Sequence, residues 1–192
     1  MLITNEFTVD KSIDKVWEFF GDVPQVAACL PGAELTEELG NDEYKGRVGV
    51  RMGPVKMEFD GTAKVVERDD ATKKMVIDGA GADQKGRGQA SMLITAQLSP
   101  APRGTKVSMQ QDLTLSGAAA QYGRGMIQDV TAVLMAQFAT NMQNRIEAAE
   151  RGVAYDGSAA SAGGLGIALA AMRMALGRVF RRFFLPYQPN PS

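Results

Sequence analysis

The chain contains no histidine. That removes an imidazole base, a histidine-based triad and histidine metal sites together. The single cysteine, Cys29, has no second thiol or imidazole with which to hold zinc or close an internal disulfide. Proton chemistry would fall to Asp, Glu, Lys, Tyr or that thiol. The carboxylates, however, alternate onto the polar side of the strand patterns or fall in loops. Glycines 79, 81, 86 and 88 do not sit between a strand and a helix, so they are poor phosphate-loop candidates. Two groups remain that suit orientation of a carbonyl better than proton transfer: the amide of Gln111 and the hydroxyl of Tyr122. No catalytic residue and no metal ligand is assigned.

The other chemistry written into the residue types is solvation. Met52, Met57, Met75, Met92 and Met109 recur once per strand pattern, always on the apolar side. Met126, Met135 and Met142 recur along the helical pattern that follows. Gly46, Gly61, Ala63, Gly79, Ala90 and Ala96 share the apolar side and leave space there. Methionine adapts to whatever fills a gap. These residues, with Trp17, Phe20, Phe59, Val130 and Leu134, form a candidate lining for an apolar or amphiphilic molecule. An irregular but solid core explains the same methionines.

The elements that must position them follow from periodicity. Leu2 to Val9 reads as a strand. Asp10 or Ser12 can cap a helix running to Gly21, and Val23 to Leu30 reads as a second short helix stopped by Pro31-Gly32. Strand patterns with period two run over Tyr44–Met52, Val55–Val65, Met75–Ile77, Ala90–Leu98 and Val107–Leu115. Residues 79–88 read as a long connection or a bulged strand start. Ala118 to Arg151 reads as one amphipathic helix about 45 Å long, with Tyr122, Met126, Val130, Leu134, Phe138, Met142 and Ile146 at four-residue steps. The fold class is therefore α+β: a curved antiparallel sheet gripping a long helix.

Residues 1–151 carry a net charge of −4 and residues 152–192 one of +3. An acidic body argues against nucleic acid as the partner. The N-terminal residues have no basic region followed by an apolar run, so no secretion signal is read there. Residues 152–164 form a small-residue linker averaging about 20 Å end to end. Residues 165–185 read as an amphipathic helix. Leu165, Leu169, Met172, Leu176, Val179, Phe180 and Phe183 make one stripe, and Arg173, Arg178, Arg181 and Arg182 fill the remaining circumference. A helix of that kind lies flat in the headgroups of an anionic membrane; the same stripe also suits packing on the body or on a partner. Residues 186–192 read as a disordered tail. The expected location is the cytoplasm, peripheral on the inner face of the cell membrane.

The element order resembles the helix-grip fold of the START-like (SRPBCC) superfamily, in which the space between sheet and helix is commonly a ligand cavity. A closer resemblance lies in Val16-Trp17-Glu18-Phe19-Phe20, Cys29-Leu30-Pro31-Gly32-Ala33, Tyr44-Lys45-Gly46 and Gly53-Pro54-Val55. It continues in Phe59-x-Gly61, Gly86-x-Gly88, Gly104-Thr105-x-Val107 and Leu115-x-Gly117. In order and spacing these resemble the CoxG family of carbon monoxide dehydrogenase subunits over residues 1 to about 150. The resemblance implies an accessory protein of a molybdenum-containing carbon monoxide dehydrogenase or a related hydroxylase. It further implies a link to the membrane and to a lipid quinone, menaquinone or ubiquinone, as electron acceptor. The expectation is a non-catalytic quinone carrier. A ligand-free recruitment adaptor and an enzyme acting on a hydrophobic substrate stay open.

Overall fold

A computed structural model describes residues 1–153 and 155. Its elements are β1 (Leu2–Val9), α1 (Ile13–Phe20), α2 (Val23–Cys29), β2 (Ala33–Gly40), β3 (Glu43–Met52), β4 (Val55–Asp69), β5 (Lys74–Asp83), β6 (Gln89–Pro100), β7 (Thr105–Leu115), a 3-10 turn (Gly117–Gln121) and α3 (Arg124–Glu150). The seven strands form one antiparallel sheet in the order β1-β7-β6-β5-β4-β3-β2. The linker (152–164), the amphipathic helix (165–185) and the tail (186–192) expected from the sequence lie, but for residues 152, 153 and 155, outside the described residues. No helix among the described residues is long and apolar enough to cross a membrane.

Local chemistry accounts for the short elements. Asp22 caps α2 by accepting from the Gln25 amide at 3.1 Å, and Pro24 sits in the first turn, where no amide hydrogen is needed. Gly61 marks a close approach of β4 to β5. A Cβ placed there would stand 2.0 Å from the Ala80 carbonyl oxygen, so only glycine permits that approach.

One strand is added to the expectations and two expectations are corrected. Residues 33–40, AELTEELG, form a strand that alternation does not reveal. The run is rich in glutamate, and it is held as an edge by pairing with β3. Charged side chains on such an edge discourage pairing with another chain. Residues 79–83, expected as a connection or a bulged strand start, are the second half of β5, paired on both sides. The last helix does not begin at Ala118. A 3-10 turn comes first, the chain is extended at Tyr122 and Gly123, and α3 starts at Arg124.

The core is concentrated at one end. Val9, Val16, Trp17, Phe20, Met75, Leu98, Val107, Phe138, Met142 and Ile146 pack together beneath α1 and the C-terminal half of α3. Phe7 meets Phe138 edge to face at 5.9 Å. The end of α3 is clamped to the start of the fold by Glu150, which accepts from Lys11 at 2.7 Å and also from Lys15. Those bonds, Lys11 first, hold the Glu150 carboxyl at about 2 against an ordinary 4.5. A depressed carboxyl pKa contributes stability above the ordinary value and loses it as pH falls through the folded value. Wild type is therefore expected to be more stable than Glu150→Gln at pH 7. That gap should shrink as pH falls from about 4.5 toward 2, as thermal melts of both proteins would show.

Candidate functional site

The register puts the inner-face residues in rows across the sheet. Gly46, Gly61, Gly81, Ala90 and Leu115 stand opposite one another on successive strands, and beside them run Tyr44, Ala63, Gly79, Met92 and Leu113. Apart from Leu115, the first of these rows is a trench floored by hydrogen and methyl groups. Above it, α3 makes its close backbone approaches to the edge strand β1 and to β3, next to the other edge. The strands between them, β7 to β4, stand farther from the helix. Several inner apolar side chains in this half are only half-buried: Val48, Val50, Phe59, Met92, Leu113 and Leu134. Side chains of a filled core would be sealed. The half-covered apolar region beside the packed end of the domain is termed the hollow.

The sequence-derived lining divides between the two ends. Phe59, Met92, Tyr122 and Leu134 are half-buried around the hollow, and Met52, Met57 and Val130 are buried in the same half. Trp17, Phe20 and Met75 belong instead to the packed core, and Met109 joins them there. The Trp17 indole donates to Asp70 at 2.6 Å, and the Arg68 guanidinium lies 5.1 Å from its ring centroid. That ring is fixed at the far end rather than placed at an opening. Met126 is corrected outright: it is 44% exposed, and Ile127 takes the inward position. A four-residue step overshoots the helical repeat by about 40°. Five such steps back from Ile146 carry the side chain to the outer face.

Polar groups on the inner face are more numerous than the sequence suggested. Gln111 is buried, and its amide donates only to the Met135 thioether at 3.6 Å, a weak acceptor. Asn5, diagonal to Gln111 on β1, has a buried amide nitrogen with no partner. The alternation Ile3, Asn5, Phe7, Val9 was the signal that would have found it. A buried donor left unpaired costs roughly 1–3 kcal/mol. Asn5→Val is therefore expected to raise the melting temperature by a few degrees, measurable by calorimetry.

Asp83 is a buried carboxylate on the inner face of the strands, and it is fully committed. It faces Phe59 across β4 and β5. Its oxygens accept from the amides of Glu58, Lys85 and Arg87 and from the Arg87 guanidinium at 2.7 Å through both Nε and Nη2. Arg87 Nη2 also donates to the Lys56 carbonyl at 2.9 Å. The guanidinium first, then the amides, hold this carboxyl well below the usual range. Glu6, Asp60 and Asp112 point outward: Glu6 bonds Lys106 and Ser108, and Asp60 bonds Arg47. Burial pushes the Cys29 thiol up to about 11, so it is no nucleophile at neutral pH. No cluster of potential metal ligands occurs among the described residues.

A curved antiparallel sheet wrapped on a long C-terminal helix defines the helix-grip, START-like class of proteins. Solved structures agree at the level of fold. A conserved protein from Geobacillus kaustophilus is 21% identical with a TM-score of 0.67, covering 77% of this chain and 95% of its own. The ZhuI aromatase/cyclase from Streptomyces sp. R1128 is 18% identical with a TM-score of 0.56, covering 82% and 98%. TTHA0849 from Thermus thermophilus is 14% identical with a TM-score of 0.54, covering 78% and 99%. The chain belongs to the CoxG family of carbon monoxide dehydrogenase subunits, whose model matches residues 6–147. No curated protein matches it.

Proposed function

We propose that this protein is a non-catalytic carrier of a lipid quinone, menaquinone or ubiquinone. It takes the quinone from the cytoplasmic face of the membrane and presents it to a molybdenum-containing carbon monoxide dehydrogenase or a related hydroxylase. The family name supplies the link to that enzyme. The observation that carries the reading is the half-buried apolar surface between α3 and the receding middle strands, which suits a ring with an isoprenoid chain. Gln111 and Tyr122 provide hydrogen-bonding groups at that surface for a quinone carbonyl. The tail, with Leu169 and Phe183 on the apolar stripe expected from its sequence, keeps the body at the bilayer.

A non-catalytic role is supported by what occupies the reactive groups. Asp83 is sequestered by Arg87, and Cys29 is a buried neutral thiol. The carrier holds the redox molecule; electron transfer belongs to the enzyme it serves.

The test is extraction of the purified full chain with organic solvent, followed by mass spectrometry. A quinone recovered in near-stoichiometric amount is the expected result. An extract without quinone, combined with no uptake on addition of quinone, would leave only a ligand-free recruitment adaptor.

A further inference from the structure

The 17 lysines and arginines within residues 1–153 are not distributed alike in their pairing. Thirteen lie within 4 Å of an acidic partner among the described residues. Arg145 stacks on the Tyr155 ring at 5.2 Å. Arg51, Lys85 and Arg124 have no ion pair among the described residues, and all three are exposed.

Those three share one end of the body. Arg51 stands opposite Lys56 at the β3–β4 hairpin. The Lys56 carbonyl accepts from Arg87 of the β5–β6 turn, which carries Lys85. The Arg87 carbonyl in turn accepts from the Ala118 amide at 2.6 Å, and the chain runs through the 3-10 turn to Arg124 at the start of α3. Met126, the displaced methionine, is exposed one turn in. The acids beside these two strand turns, Glu58 and Asp83, are neutralised by Lys56 and Arg87. The opposite end carries the reverse sign: burial first, then Glu38, Asp42 and Asp22 around it, raise the phenol pKa of Tyr44. An acidic body with one unpaired basic end is an electrostatic dipole.

We propose that this end, Arg51, Lys85 and Arg124 with Met126 beside them, is a surface on the body that docks against the headgroups of anionic phospholipid. An anionic leaflet draws the basic end inward and repels the acidic one, so the body is held in one orientation. The hollow then faces the bilayer from the side away from the packed core, where Phe59, Met92 and Leu115 are half-buried. Each cation at such a surface contributes about fivefold in partitioning at low salt. The inference extends the carrier reading, but the two can fail separately.

The experiment compares full-length wild type with two triple variants by sedimentation with vesicles of phosphatidylglycerol in phosphatidylcholine. One carries Arg51→Gln, Lys85→Gln and Arg124→Gln. The other carries Lys45→Gln, Lys64→Gln and Lys74→Gln, which removes the same charge from paired cations. Trp17, the sole tryptophan, reports whether each remains folded. The first triple is expected to lose about a hundredfold in partitioning and the second to stay near wild type. Equal losses would reduce the effect to net charge and overturn the proposal. No loss in the first triple, or no sedimentation of wild type, would overturn it too. A first triple that keeps vesicle binding yet no longer works with the dehydrogenase would reassign the surface to a protein partner. Quinone content, measured on the same preparations, judges the carrier reading independently.

Discussion

On the carrier reading, Ala90→Trp is expected to empty the protein of the proposed quinone while leaving the fold in place. Ala90 lies in the trench between Gly81 on β5 and Leu115 on β7, and it is half-buried. An indole there extends over Gly81 and Gly61, where no side chain opposes it. The space it takes is the space proposed for the quinone ring. Bound quinone, read by solvent extraction, should fall by more than about tenfold. Filling an existing hollow does not force the strain of overpacking, so the melting temperature should move by less than about 5 °C. A variant that keeps its quinone would place the ligand elsewhere; a variant that fails to fold would mean that the region is already full.

Asp83→Ala carries the largest expected cost to stability. The side chain of Asp83 is completely inaccessible, and it gathers three backbone amides and a two-pronged guanidinium from the β5–β6 turn. Its removal leaves those amides without their acceptor and the partly exposed Arg87 without its ion pair. Breaking one side of a buried ion pair is among the most damaging substitutions. The melting temperature should drop by about 10 °C, read by calorimetry or Trp17 fluorescence. Asp83→Asn, which keeps the shape and one acceptor, should cost clearly less. Because the carboxyl is held below its usual range, its contribution is full at neutral pH and fades only in strong acid. Equal melting temperatures for wild type and Asp83→Ala would show that the turn does not depend on this pair.

The alternation in β3, β4, β6 and β7 made the sheet and its inner face legible, because a strand with one wet side must repeat every two residues. The register confirms that the methionines of those strands share a face. β2 was hidden because its glutamates satisfy an edge position, not a core. The far half of β5 was hidden because Gly79 and Gly81 present no side chain to alternate. Met126 was misplaced by a spacing that fits a helix locally and drifts over five turns. The division of the lining between core and hollow was not legible at all. It depends on how far α3 stands from each strand, a three-dimensional quantity that spacing along a chain does not encode. The Asp83–Arg87 pair and the unpaired basic end likewise exist only once distant turns meet.

Native mass spectrometry of the freshly purified full chain tests the central claim most directly. A greasy hollow that carries quinone predicts a one-to-one adduct at the mass of a quinone in wild type and its loss in Ala90→Trp. Wild type that flies bare, and stays bare after incubation with quinone, would contradict the account.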